Sequence, residues 1–135
     1  MHLLVDVFGY YGSSGGLTTI IEPTRVFDTR NGMNTGLGQL GAGEARNVQI
    51  RGVAGVPSNA TAVIANVTVA DPSAGGYLTI WPSGQSRPDA SNLNWFVGKT
   101  VPNLVMVAIG KDGNISIYND VGNTSVIVDV FGYVV

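Results

Sequence analysis

Apolar and polar residues alternate with a period of two along most of this chain. Over residues 61–69, one set of alternate positions carries Val63, Ala65, Val67 and Val69, and the other carries Ile64, Asn66 and Thr68. Successive strand side chains point to opposite faces, so the pattern predicts a β-strand with one buried face. Similar runs occupy residues 45–51, 77–81, 91–96, 103–109, 114–118 and 124–133, with a shorter one at 24–28 and another at 2–11. Turn-forming clusters separate them at 71–76, 82–85, 111–114 and 120–123. Among these, Asp112-Gly113 suits the positive φ of a tight hairpin. No window shows an apolar stripe of helical period with caps. Short strands at roughly ten-residue spacing predict an all-β fold, a single antiparallel β-sandwich of jelly-roll-like form with about nine strands. A partly closed β-barrel is the alternative.

Composition narrows the function more than the fold. The length of 135 residues suits one domain. Seven Lys and Arg within a net charge of −2 argue against nucleic acid or an anionic membrane as partner, since both demand dense positive charge. The lack of cysteine removes disulfides, thiolate metal sites and cysteine nucleophiles together. A Ser-His-Asp triad would have to use His2, the single histidine. No apolar stretch reaches the about 20 residues that span a bilayer, so membrane insertion is not expected. The first residues lack a basic region and Asp6 interrupts their apolar run, so they do not read as a signal peptide.

A duplication stands out. Val5-Asp6-Val7-Phe8-Gly9-Tyr10 recurs as Val128-Asp129-Val130-Phe131-Gly132-Tyr133, with Leu3-Leu4 matched in character by Val126-Ile127. The chain therefore divides into an extra β-strand over 1–11 that duplicates the C-terminal strand, a Gly/Ser linker over 12–17, and a sandwich domain over 18–135. In a tandem array the first copy would be the last strand of the preceding module. A fold with one slot for such a strand leaves the second copy exposed, and an exposed apolar strand is an edge-pairing hazard. Sharing it with another copy resolves the conflict, by strand exchange or strand addition. The residues expected to carry self-association are Leu3, Leu4, Val5, Val7, Phe8, Tyr10, Val128, Val130, Phe131 and Tyr133. The plainer alternative places both strands within one domain.

Several motifs occur in an order that suggests a family. They are Glu22-Pro23-Thr24-Arg25-Val26-Phe27-Asp28-Thr29-Arg30, Val56-Pro57 before Ala60-Thr61-Ala62-Val63, Asn66-Val67-Thr68-Val69 and Gly76-Tyr77-Leu78-Thr79-Ile80-Trp81-Pro82. Arg87-Pro88 before Ala90-Ser91-Asn92-Leu93-Asn94, Val101-Pro102-Asn103-Leu104-Val105 and the closing Val128–Tyr133 motif follow. Together they span residues 18–135. The ensemble resembles an accessory or tandem β-domain of secreted proteins from actinobacteria and other bacteria, one often found beside cell-wall amidases and peptidases. The resemblance implies a non-catalytic module, extracellular or on the cell surface, and names no ligand.

The remaining candidate sites follow from residue chemistry. Asp28 and Arg30 can pair across a bend, and Asp129, set in an apolar row, needs a partner such as Arg25 or Arg30. These four are expected to form structural ion pairs. Trp81, Trp95 and Tyr77 could stack on sugar rings while Asn92 and Asn94 bind hydroxyls. A carbohydrate- or cell-wall-binding module, with polysaccharide or peptidoglycan as partner, is therefore the alternative function. Gly36-Leu37-Gly38-Gln39-Leu40-Gly41 fits a dinucleotide fingerprint, but a strand pattern follows it where that motif needs a helix. Asp28, Glu44, Asp71 and Asp89 are loop or near-loop carboxylates, and none is singled out as a glycosidase acid. The turns at 112–114 and 120–123 offer oxygens to calcium, yet are equally good turn formers. No catalytic residue, metal or cofactor is expected.

Overall fold

The period-two runs fold into eight strands: β1 (Thr18–Asp28), β2 (Ala45–Gln49), β3 (Ala62–Ala70), β4 (Gly76–Pro82), β5 (Leu93–Trp95), β6 (Val101–Ala108), β7 (Asn114–Asn119) and β8 (Ser125–Val134). The computed structural model describes residues 1–3, 5–7, 9–36 and 38–135. Two four-stranded antiparallel sheets form, in the orders β1-β8-β3-β6 and β2-β7-β4-β5. Strands 1 and 8, 2 and 7, 3 and 6, and 4 and 5 are hydrogen-bonded neighbours. The chain thus runs like one long antiparallel ribbon rolled into two sheets, which is the jelly-roll arrangement. The sheets do not close into a barrel.

The core is the space between the sheets. Val63, Ala65, Val67 and Val69, the predicted inner face of β3, are all fully buried. They are joined by Val126, Val128 and Val130 of β8 and by Val105 and Val107 of β6. The facing sheet supplies Val48, Leu78, Ile80, Leu93, Ile115 and Ile117. Each such side chain contributes about 1.5–3 kcal/mol on full burial, so the alternation itself is what holds the two layers together.

β8 is the central strand of the first sheet, paired to β1 on one side and to β3 on the other. Both neighbours register with it irregularly near Phe131. On β3, Ile64 pairs with Gly132 and Ala65 with Val130, so Phe131 is an extra residue bulged out of that ladder. On β1, Ile20 pairs with Gly132 and Thr24 with Val130, leaving three residues, including Pro23, opposite one. Proline has no N–H to give a ladder, so an edge bulge accommodates it. Gly132 lies where the backbones crowd. A Cβ there would sit 3.1 Å from Ile64 Cδ1 and 3.2 Å from the carbonyl oxygen of Thr19.

The strand expected over residues 2–11 is not formed in this single chain. Leu4 and Phe8 lie outside the described residues, and none of the described residues among the first seventeen belongs to a strand. The reason is occupancy, because residues 125–134 already fill the position with both edges bonded. The short run predicted at 24–28 instead begins at Thr18, extended by pairing with the end of β8. The expected linker is tied down at its end, where Leu17 and Val135 exchange two backbone hydrogen bonds.

Gly110 provides a test of the packing between the ends of β4 and β6. A Cβ at Gly110 would lie 2.8 Å from the Ser83 backbone nitrogen, whereas one at Gly36 meets nothing within 4 Å. Gly110→Ala is expected to lower stability by about 1–3 kcal/mol or more, and Gly36→Ala to leave it within about 0.5 kcal/mol. Urea denaturation of the two variants beside the parent chain measures the difference.

Candidate functional site

The four charged residues expected to pair do come together, at the seam between β1 and β8. Asp28 ends β1 with its carboxylate buried. Arg30 grips it with a two-pronged contact, Nε to Oδ1 at 3.0 Å and Nη2 to Oδ2 at 2.8 Å, and its backbone N–H donates to Oδ1 at 3.0 Å. Arg25, directly opposite Asp129 in the ladder, donates to that carboxylate from Nε at 2.8 Å and Nη2 at 3.2 Å. Arg25 Nη1 also reaches Asp28 Oδ2 at 3.5 Å. Asp129's partner is therefore Arg25 and not Arg30. Between the two pairs, the Thr29 hydroxyl accepts the buried backbone N–H of Val126 at 3.0 Å. The Pro-Thr-Arg and Asp-Thr-Arg segments thus form a clamp that stitches the edge strand to the central one.

The electrostatics match this geometry. The Arg30 guanidinium holds the Asp28 carboxyl below its ordinary range, against burial that pushes it up. The Arg25 and Arg30 guanidinium groups are raised in turn, by their hydrogen bonds to Asp129 and Asp28. A carboxylate so committed has no free lone pair aimed at a substrate, and the arrangement is that of a structural ion pair.

The glycine-rich loop over 31–43 is held by a pair that sequence reading missed. Arg46 donates to Glu44 Oε1 at 2.6 Å and to the carbonyl oxygens of Gly36, Gly38 and Gln39. Glu44 Oε2 accepts the Gly41 N–H at 2.7 Å, and Arg46, then Gly41, hold its carboxyl below the usual range. The loop therefore turns carbonyls toward a cation, the opposite polarity from a phosphate cradle, and β2 follows it where a dinucleotide site needs a helix. Leu37, within this motif, lies outside the described residues. A glutamate two residues before an arginine at a strand start was the only signal for this staple.

The five residues expected to contact sugar divide. Trp81 and Trp95 are buried, and their indole N–H groups donate to the carbonyls of Gln85 and Ala74, each at 2.9 Å. Asn92 is buried too, with its Oδ1 accepting the Ile80 N–H at 2.7 Å. Their size and polarity serve packing and backbone satisfaction, so none of the three presents a sugar-binding surface. Tyr77 and Asn94, opposite each other in the β4–β5 ladder, instead line an open cleft on the outer face of the second sheet. Partial burial pushes the Tyr77 phenol above its ordinary value, and Asp120 adds to the shift.

Two polar side chains at the turns, Asp112 and Asn119, also have internal tasks. Asp112 accepts from the Ser83 hydroxyl and from the backbone and side-chain nitrogens of Asn114, which together hold it below the usual carboxylate range. Asn119 donates its amide to Leu40, Gly41 and Gly122 carbonyls. Among the described residues, no three of His, Asp and Glu gather as a metal-binding group.

The two copies of the duplicated motif have opposite environments. Val128 and Val130 are fully buried in the core; Phe131 is half-buried at the bulge, and beyond it Tyr133, opposite Val63, is half-buried against the core. In the first copy, Val5, Val7 and Tyr10 are 76, 82 and 91% exposed, and Leu3 is similarly open.

Truncating Arg30 tests the clamp. Arg30→Ala leaves the buried Asp28 carboxylate with only the longer, 3.5 Å contact from Arg25, and is expected to cost about 1–3 kcal/mol, discounted for the partial exposure of the arginine. Arg25→Ala, whose partner is more solvated, should cost about 1 kcal/mol or less. A carboxyl with a depressed native value stabilises the fold above the unfolded value of about 4, and the stabilisation disappears as pH falls through the native value. Thermal melts from about pH 7 to about pH 2 should therefore show a steeper acid loss for the parent chain than for Asp28→Asn. No protein-family model and no curated protein sequence matches this chain.

Proposed function

We propose that this protein is a non-catalytic structural or adhesive module of the cell surface or extracellular space, joined to copies of itself or to neighbouring modules by its first strand. The observation that carries the reading is the duplicated motif. One copy is a central strand of a finished sheet, and in the other, of the same sequence, Val5, Val7 and Tyr10 lie exposed.

The glycine of the motif supports a β8-type destination for the first copy. At Gly132 a side chain would crowd Ile64 and Thr19, whereas at Gly9 a Cβ would meet nothing within 4 Å. A glycine in a strand costs stability unless a close backbone approach requires it. Gly9 therefore has no use in the isolated chain and a clear one between a β1 and a β3. Residues 12–17 can extend about 20 Å, enough to let the first strand sit in a neighbour's sheet while β1 stays in its own. Exchange of one copy for the other replaces like with like and frees one β8 for each slot taken, so the drive to associate comes from pairing the surplus apolar strands with one another or with a sheet edge. Its side chains and unpaired backbone form the adhesive element. The committed state of Asp28, Glu44 and Asp112 supports the non-catalytic part of the reading.

Sedimentation velocity over a concentration series tests this. The full chain is expected to populate dimers and longer species, and a chain lacking residues 1–11, which keeps all eight strands, to stay monomeric. Gly9→Val is expected to suppress the assembly without moving the melting midpoint. A parent chain that stays monomeric at high concentration would sink the proposal, and unimpaired assembly of Gly9→Val would remove the β8-type slot from it.

A further inference from the structure

We infer that the outer face of β4 and β5 is a glycan-binding cleft. With Val5 and Asp6 of the first copy closing one side, the cleft has a volume of about 580 Å³, within the about 300–1,000 Å³ of small-ligand pockets; withdrawal of that strand into a neighbour would leave the β4–β5 floor and the 83–92 loop in place and open this side. Half-buried Tyr77 and buried Thr79 of β4 form its floor, and Asn94 of β5 stands beside them. The loop between β4 and β5 brings Arg87, Asp89 and Ser91 to the rim.

That loop is fastened before any ligand arrives. The Thr79 hydroxyl donates to the Ala90 carbonyl at 2.7 Å, and the Trp81 indole to that of Gln85 at 2.9 Å. The Arg87 guanidinium lies 3.6 Å from the centre of the Tyr118 ring. Stacking on a ring fixes the guanidinium plane and leaves its N–H edge directed sideways, ready for a two-pronged contact. Pre-organisation of this kind lowers the entropic cost of binding.

The polar groups of the rim are unspent. Among the described residues, neither Arg87 nor Asp89 enters a salt bridge, and no side-chain hydrogen bond engages either. Asn94 donates its amide N–H to Ser91 Oγ at 3.1 Å, which leaves its carbonyl oxygen to accept. A forked donor, a forked acceptor, an amide oxygen and a hydroxyl thus surround an aromatic floor. Adjacent carbon-bound hydroxyls each donate and accept one bond, which suits a carboxylate facing one pair and a guanidinium facing another. The apolar face of a pyranose ring matches the Tyr77 ring. A phosphate or other strong anion fits less well, because Asp89 and Asp6 outnumber the single cation, Arg87. The occupant is therefore a hexopyranosyl unit of an oligosaccharide.

Titration of the ¹⁵N-labelled full chain with maltotriose, cellotriose, mannotriose and N,N′,N″-triacetylchitotriose at millimolar concentrations tests the site. At least one is expected to give saturable shifts confined to the amides of residues 5, 6 and 77–94. Tyr77→Ala and Asp89→Asn should each weaken that binding about tenfold or more. Asp89 is exposed, so Asp89→Asn should leave the melting midpoint unchanged. Absence of any saturable shift, shifts centred elsewhere, or parental affinity in Asp89→Asn would each overturn the inference.

Discussion

The double-sided pairing of β8 is the constraint on which the rest of this structure depends. This strand bonds β1 along one edge and β3 along the other, and its inner valines fill the middle of the core. Every other strand of that sheet is positioned through it, directly or by way of β3. The first and last strands of the domain are thereby locked side by side, so the ends of the chain close the fold. Non-local closure of this kind is slow to form and, once formed, cooperative. It also explains why one slot exists for a strand that the chain carries twice.

The charged clamp at the β1–β8 seam follows from the same constraint. β1 is an edge strand interrupted by a bulge around Pro23, so its ladder alone holds it weakly. Arg25, Asp28, Thr29 and Arg30 add charge-assisted bonds where regular pairing fails. The Glu44–Arg46 staple does comparable work for the loop over 31–43, in which Leu40 is the buried apolar side chain among the described residues. Arg25 and Asp129 face each other within β1 and β8, the other charges lie at strand ends, and the arginines keep partial solvent access, which keeps the desolvation cost moderate. These six charged residues thus fasten the irregular segments, while the strands rely on burial and backbone pairing.

Much of the fold was legible because a strand's period is short and local. The inner face of β3 could be read residue by residue, and the turns at 71–76, 82–85 and 111–114 were marked by proline, glycine and aspartate. Asp28 with Arg30 was also legible, since two residues of separation make the pair local. What escaped reading was long-range. The choice of Arg25 over Arg30 for Asp129 depends on ladder register. Trp81, Trp95 and Asn92 looked like contact residues by type, yet the 83–92 loop and the packing of β5 turn them inward. Arg87 and Asp89 drew little notice, because their closeness to Tyr77 arises only when the loop folds back over β4.

By itself, the sequence determined that the chain is all-β, where most strands lie, which faces they bury, and that its last strand is written twice. Each of these rests on local periodicity or identity, which a linear string carries in full. The tertiary structure alone decided which copy of the motif occupies the sheet, which charges meet, and which aromatic and polar side chains remain at the surface. Those outcomes depend on residues about a hundred positions apart being brought into register, and on competition for a single site between segments of the same sequence. Neither property belongs to any one stretch of the chain.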